Sequence, residues 1–162
     1  MDVSSLSLFF SQWPTDWILI GAFASFAAFD AMRSGPARAA ALVLSLPAAL
    51  LFMEKLPSAL FLGPLAAQFT TPLDQLATFT ALTAALYFVI HRLISKYSNG
   101  LEPIQALLAG LAATAVLVVV WLQVPSLDVV WVFGDQVQAA FGAGYRFWWL
   151  VGSFIALASV RS

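Results

Sequence analysis

Long apolar runs alternate with short polar gaps along the chain. The runs are Trp17–Ala31, Ala39–Met53, Leu73–Ile90, Ile104–Val124 and Phe147–Val160. A helix rises about 1.5 Å per residue and a bilayer core is about 30 Å thick, so each run is long enough, or nearly so, to cross as a helix. The pattern predicts an all-α polytopic membrane bundle with about five transmembrane helices, forming a single domain over residues 1–162. Short interfacial helices complete it. Within Met1–Pro14, Leu6, Phe9, Phe10 and Trp13 recur at helical spacing, which fits a helix lying on the bilayer or a segment packed on the bundle. Pro125–Tyr145 mixes Leu127, Val130, Trp131 and Phe133 with Asp128, Asp135, Gln136 and Gln138, as an amphipathic helix flat on one leaflet would. Gly142 and Gly144 then supply a turn into the last run.

The helix count is least firm in the middle. Pro47 interrupts Ala39–Met53, and the shorter apolar stretch Pro57–Phe69 contains Gly63–Pro64. The pair reads as one kinked crossing followed by an interfacial helix, or as a re-entrant hairpin of two half-helices. Glu54–Lys55, placed where a charged helix end belongs, favours the first.

Composition agrees with the pattern. Hydrophobic residues make up 62% of the chain and charged residues 9%, too little polar surface to cover a soluble domain. The net charge of −1 offers no basic face for nucleic acid. Without cysteine, thiolate metal sites and disulfides are excluded, and the single histidine, His91, cannot build a multi-histidine site alone. No Lys or Arg precedes Trp17, so the N-terminus lacks the basic region of a signal peptide.

Charge sets a direction. Arg33, Arg38, Arg92, Lys96 and Arg161 fall on one side of a five-crossing layout, and only Lys55 and Arg146 on the other. The positive-inside rule then puts the N-terminus outside and the C-terminus in the cytoplasm. Tryptophan prefers the interface, and all six (Trp13, Trp17, Trp121, Trp131, Trp148 and Trp149) fall on the outer half of that layout.

Ionisable residues inside a span cost about 2.5–3.5 kcal/mol each on insertion scales, so each needs a reason. Asp30 lies near the cytoplasmic end of the first span with Arg33 one turn on, which reads as a gate or proton site, or as an ion pair at headgroup level. Asp74 opens the third span after Pro72, as an acid stabilised by the helix dipole. Thr71, Gln75 and Thr78 neighbour it, and Thr80, Thr83, Tyr87 and His91 form a stripe that either packs or lines a path. Arg38, Arg92, Lys96 and Arg146 are candidate lipid-headgroup contacts. Small residues recur every four positions at Gly21/Ser25, Ala106/Gly110/Thr114 and Gly152/Ala156, the spacing that lets helices pack closely. No nucleophile elbow, metalloprotease motif or phosphate-binding loop occurs, which points away from an enzyme and from any cofactor.

Three features from Asp16 to about Val124 resemble the CvpA family, bacterial inner-membrane proteins named for colicin V production. Asp16 precedes the first span, the turn Arg33-Ser-Gly35-Pro-Ala-Arg38 joins the first two, and Ala-Leu-Leu-Ala-Gly110-Leu opens the fourth after a basic loop. The chain departs from that pattern at Glu102-Pro103 and Ala106, where an Asp-Arg pair and a second glycine are expected, and in its tryptophan-rich fifth run. The resemblance implies a multi-pass protein of the bacterial inner membrane tied to secretion or envelope homeostasis, without enzymatic activity. Asp16, Arg33, Gly35, Arg38 and Gly110 would then be structural or gating positions. The expected role is an accessory or structural subunit of a membrane assembly supporting transport or secretion, its partners being the bilayer and other subunits or further copies. The alternatives are an autonomous channel or transporter using Asp30, Asp74 and the threonine stripe, and a pigment- or lipid-binding subunit relying on His91.

Overall fold

A computed structural model describes residues 15–58, 68, 71–94 and 102–160, and among them the fold is helical, joined by turns and short irregular links, with no strand. The helices are α1 (Thr15–Ser34), α2 (Pro36–Lys55), α3 (Pro72–Ile94), α4 (Pro103–Trp121), α5 (Asp135–Ala140) and α6 (Arg146–Val160). 3₁₀ turns occupy Leu56–Ser58 and Pro125–Val129. Each of the five apolar runs becomes one of the five long helices. The lead-in over 1–14, with Trp13, lies outside the described residues, as do Lys96, Arg161 and nearly all of the 57–69 stretch.

Proline and glycine mark the helix starts. Pro36, Pro72 and Pro103 stand at the heads of α2, α3 and α4. There a missing N–H costs nothing and φ is already helical. Gly35 alone separates α1 from α2, with φ 80° and its N–H donating to the Ala31 carbonyl at 2.9 Å. That left-handed conformation is one a side chain would strain, so the tight hairpin depends on glycine. Pro47 does not split α2, which continues through it to Lys55.

Helix α4 is the axis of the molecule. Its buried positions are almost all alanine and valine, among them Ala106, Ala109, Ala113, Val116 and Val120. Helices α1, α2 and α6 pack around it, and α3 packs on the outer side of α2. Consecutive long helices run in opposite directions: the end of α2, the start of α3, the end of α4 and the start of α6 share one cleft. Of the long helices, α1 to α4 have 20, 20, 23 and 19 residues and are long and apolar enough to span a membrane. Helix α6 has 15 residues, about 22 Å at the helical rise.

Residues 125–145 depart from the expected flat helix. They form the 3₁₀ turn, an irregular stretch from Trp131 to Gly134, and the six-residue α5. Side chains from the long helices hold this segment in place, so amphipathic periodicity does not decide its shape.

Candidate functional site

Five of the six tryptophans are described, and they gather at one end of the bundle. Trp17 opens α1, Trp121 closes α4, Trp131 lies in the irregular stretch, and Trp148 and Trp149 are in the first turn of α6. An indole buried at its ring and polar at its N–H seeks an acceptor, and four of these five find one in or from the 125–145 segment. Trp121 Nε1 donates to the Trp131 carbonyl at 3.0 Å and Trp149 Nε1 to the Ala140 carbonyl at 2.9 Å. Trp17 Nε1 donates to Gln136 Oε1 at 3.2 Å, and Trp131 Nε1 to Asp16 Oδ1 at 3.0 Å. The other Asp16 oxygen accepts the Gly134 N–H at 2.6 Å. One carboxylate at the head of α1 therefore clasps a segment well over a hundred residues away. Stacking of Phe141 on Trp149, centroids 4.6 Å apart, closes the far end of the cap.

Two of the hollows at this end concern the site. An apolar cavity of about 280 Å³ between α1 and α4 is lined by Leu19, Phe23, Leu117, Trp121, Trp131 and Phe133. A second, polar cleft of about 490 Å³ is framed by the end of α2, the start of α3, the 3₁₀ turn and the start of α6. Its polar lining is Glu54, Gln75, Gln123, Ser126 and Arg146. Glu54 is exposed and lies 3.1 Å from Lys55 Nζ. Arg146 uses its Nε–H on the Phe141 carbonyl at 3.2 Å, which fixes the guanidinium plane. Ser126 is 3% exposed and its Oγ has no hydrogen-bond partner. A buried hydroxyl of that kind calls for an explanation.

The opposite end carries the Asp30 cluster. Arg38, not Arg33, pairs with Asp30: Arg38 Nη1 lies 2.8 Å from Asp30 Oδ1, and Ser34 Oγ donates to the same oxygen at 3.4 Å. The Gly35 hairpin turns the first turn of α2 back over the end of α1, so the residue eight positions on reaches the carboxylate. Arg38 thus serves an intramolecular ion pair, where a headgroup contact was the expectation. Arg33 and Arg92 are exposed in the last turns of α1 and α3.

Asp74 closes a cap at the start of α3. Its backbone N–H donates to Thr71 Oγ1 at 3.1 Å while Thr71 Oγ1 donates to Asp74 Oδ2 at 2.7 Å, a reciprocal arrangement of the capping-box kind. Thr78 and Thr80 bond back to the carbonyls of Asp74 and Leu76, each at 2.8 Å. His91 stacks on Tyr87 with centroids 5.7 Å apart.

Of the three small-residue stripes, the one on α4 lies in a helix crossing. A Cβ added at Gly110 would stand 2.6 Å from the Ala28 nitrogen and 2.8 Å from the Ala24 carbonyl oxygen, and Ala106 and Thr114 are buried beside it. Among the described residues, Gly21, Ser25 and Gly152 lie outside any helix crossing within the chain. Around Gly21 and Gly152 an added methyl meets nothing within 4 Å, and Ser25 is exposed with its hydroxyl on the Gly21 carbonyl. On α1 the packed face is Ala24, Ala28 and Ala31; on α6 it runs through Leu150, Ser153, Leu157 and Val160, with Ala156 half-buried at its margin.

Sequence reasoning missed Ser126, Gln123 and Glu54 as members of one site. Their only signal was polarity near the ends of apolar runs, which every span boundary shares. Among the described residues no three of His, Asp and Glu gather as a metal site would require. No family model, curated protein or solved structure matches the chain.

Proposed function

We propose that the chain is a five-crossing protein of the bacterial inner membrane and acts as a non-catalytic accessory or structural subunit of a larger membrane assembly. Its N-terminus is outside and its C-terminus cytoplasmic. The assembly supports transport, secretion or envelope homeostasis. The observation that carries this reading is the sealed interior around α4. Three of the four buried polar side chains among the described residues, Ser45, Thr114 and Ser153, each donate to a carbonyl of their own helix at 2.7–3.0 Å; the fourth, Ser126, lies beyond the end of α4. Hydroxyls satisfied in that way leave no string of free polar groups to replace the water shell of a moving ion.

The channel or transporter reading has less support, because both of its carboxylates have other tasks, and of its stripe only Thr83 Oγ1 and His91 Nδ1 are buried without a partner. Asp30 is held by Arg38, and Asp74 caps α3. The CvpA-like positions fit a structural part: Asp16 clasps the cap, Gly35 makes the hairpin, Arg38 holds Asp30 and Gly110 sits in a helix crossing. Purification in mild detergent followed by mass spectrometry should return this chain with a larger membrane protein at fixed stoichiometry. Isolation as a monomer or homo-oligomer that conducts ions in liposomes would overturn the proposal.

A further inference from the structure

We infer that the cleft between the end of α2, the start of α3, the 3₁₀ turn and the start of α6 binds a phosphoethanolamine group, a phosphate joined to an ammonium. Three observations combine. The cleft, at about 490 Å³, is of the size that takes a small ligand. Among the described residues its charged lining is one cation, Arg146, and one anion, Glu54, which suits a ligand carrying both signs. Its floor holds Ser126, 97% buried by its 3% exposure and with its hydroxyl unpartnered.

The chemistry divides along the cleft. A phosphate takes up hydrogen-bond donors, and the lining offers the amides of Gln75 and Gln123 and the Arg146 guanidinium, with the buried Ser126 hydroxyl behind them. The Arg146 Nε–H is already committed to the Phe141 carbonyl, so its terminal nitrogens are the ones presented to an anion. Glu54 stands exposed at the rim. Its contact there is with the neighbouring Lys55, at 3.1 Å between two exposed side chains, a weak pairing that a ligand ammonium can share or replace. Leu50, Met53 and Leu122 line the rest of the wall, an apolar surface suited to the glycerol and upper acyl carbons of a lipid. The cleft lies at the tryptophan-rich end, the depth at which headgroups sit. The same group occurs free as O-phosphoethanolamine and attached as the headgroup of phosphatidylethanolamine.

The test is native mass spectrometry of the full chain released from detergent micelles doped with equal amounts of phosphatidylethanolamine and phosphatidylglycerol. A parallel sample holds O-phosphoethanolamine alone. The lipid as source predicts one retained phosphatidylethanolamine, favoured at least fivefold over phosphatidylglycerol. The soluble source predicts one bound O-phosphoethanolamine and no lipid preference. In either case Arg146→Gln should lower occupancy at least fivefold; Glu54→Gln, an exposed change, should abolish the preference for phosphatidylethanolamine if the lipid is the source and lower O-phosphoethanolamine occupancy if the soluble compound is. Ser126→Ala should weaken binding, and Arg92→Gln at the opposite end should leave it unchanged. Arg146→Lys, which retains the cation, guards against misfolding and should recover part of the occupancy. Failure of both probes to bind would overturn the inference, and so would occupancy indifferent to Arg146 and Glu54. The result is independent of whether a protein partner co-purifies.

Discussion

A single hydrogen atom at position 110 sets how closely α1 and α4 approach. With the Ala28 nitrogen and the Ala24 carbonyl oxygen within 2.8 Å of where a Cβ would stand, a methyl group cannot be accommodated by turning a side chain, because the obstacles are backbone. Gly110→Ala should therefore push the helices apart and cost about 1–3 kcal/mol, the range for overpacking a filled core. Melting of the purified protein in detergent measures it. Gly21→Ala and Gly152→Ala provide the contrast, because their added methyls meet nothing within 4 Å and alanine is the better helix former; their melting temperatures should be unchanged or raised. An equal loss at all three positions would mean that the effect is helix-wide and not a matter of the crossing. This contrast also marks a limit of the sequence. All three glycines sit in the same four-residue spacing of small residues, and spacing says that a face exists without saying which neighbour it meets. The Asp30 partner was hidden for a related reason: helical spacing points to Arg33, and only the hairpin at Gly35 brings Arg38 to 2.8 Å.

At the scale of elements, the long helices were the legible part. Apolar runs bounded by charge, with proline at three helix starts, placed the ends of all five to within a few residues, because each boundary is set by local chemistry. The 125–145 segment was not legible. Its amphipathic pattern fits a flat helix, but the donors and acceptors that shape it come from α1, α4 and α6. Asp16 is the strongest of these tethers, accepting both the Trp131 indole N–H and the Gly134 backbone N–H. Hydrogen bonds to a charged group contribute about 1.5–3 kcal/mol, and the N–H groups released would lose a partner. Asp16→Ala should accordingly cost a few kcal/mol at the cap and raise hydrogen exchange at Gly134 while leaving the α4 amides protected. Asp16→Asn should fall between, since an amide oxygen still accepts one of the two N–H groups. Unchanged exchange at Gly134 in Asp16→Ala would show that the indole contacts of Trp17, Trp121 and Trp149 hold the segment without it.

The whole molecule has two chemically different ends. Tryptophans, the clasped segment and the polar cleft occupy one; the exposed Arg33 and Arg92 and the Asp30–Arg38 pair occupy the other. That polarity is the physical ground for a defined orientation, since arginine near a helix end favours the cytoplasmic side and indoles favour the interface. Of the five proposed crossings, α6 is the one to test. At 15 residues it is shorter than the roughly 20 that a 30 Å core requires, and it crosses only if the bilayer thins or the flanking residues reach outward. The absence of native cysteine makes the question answerable with single substitutions and a membrane-impermeant maleimide. Asp128→Cys, an exposed position of the 3₁₀ turn, should be labelled in intact cells. Arg92→Cys, before α4, and Ser162→Cys, after α6, should be labelled only once the membrane is permeabilised. Labelling of both 128 and 162 in intact cells would reduce α6 to a helix that enters without crossing and would leave four spans. The mirror-image pattern would keep all five and reverse the orientation, placing the tryptophan-rich end in the cytoplasm.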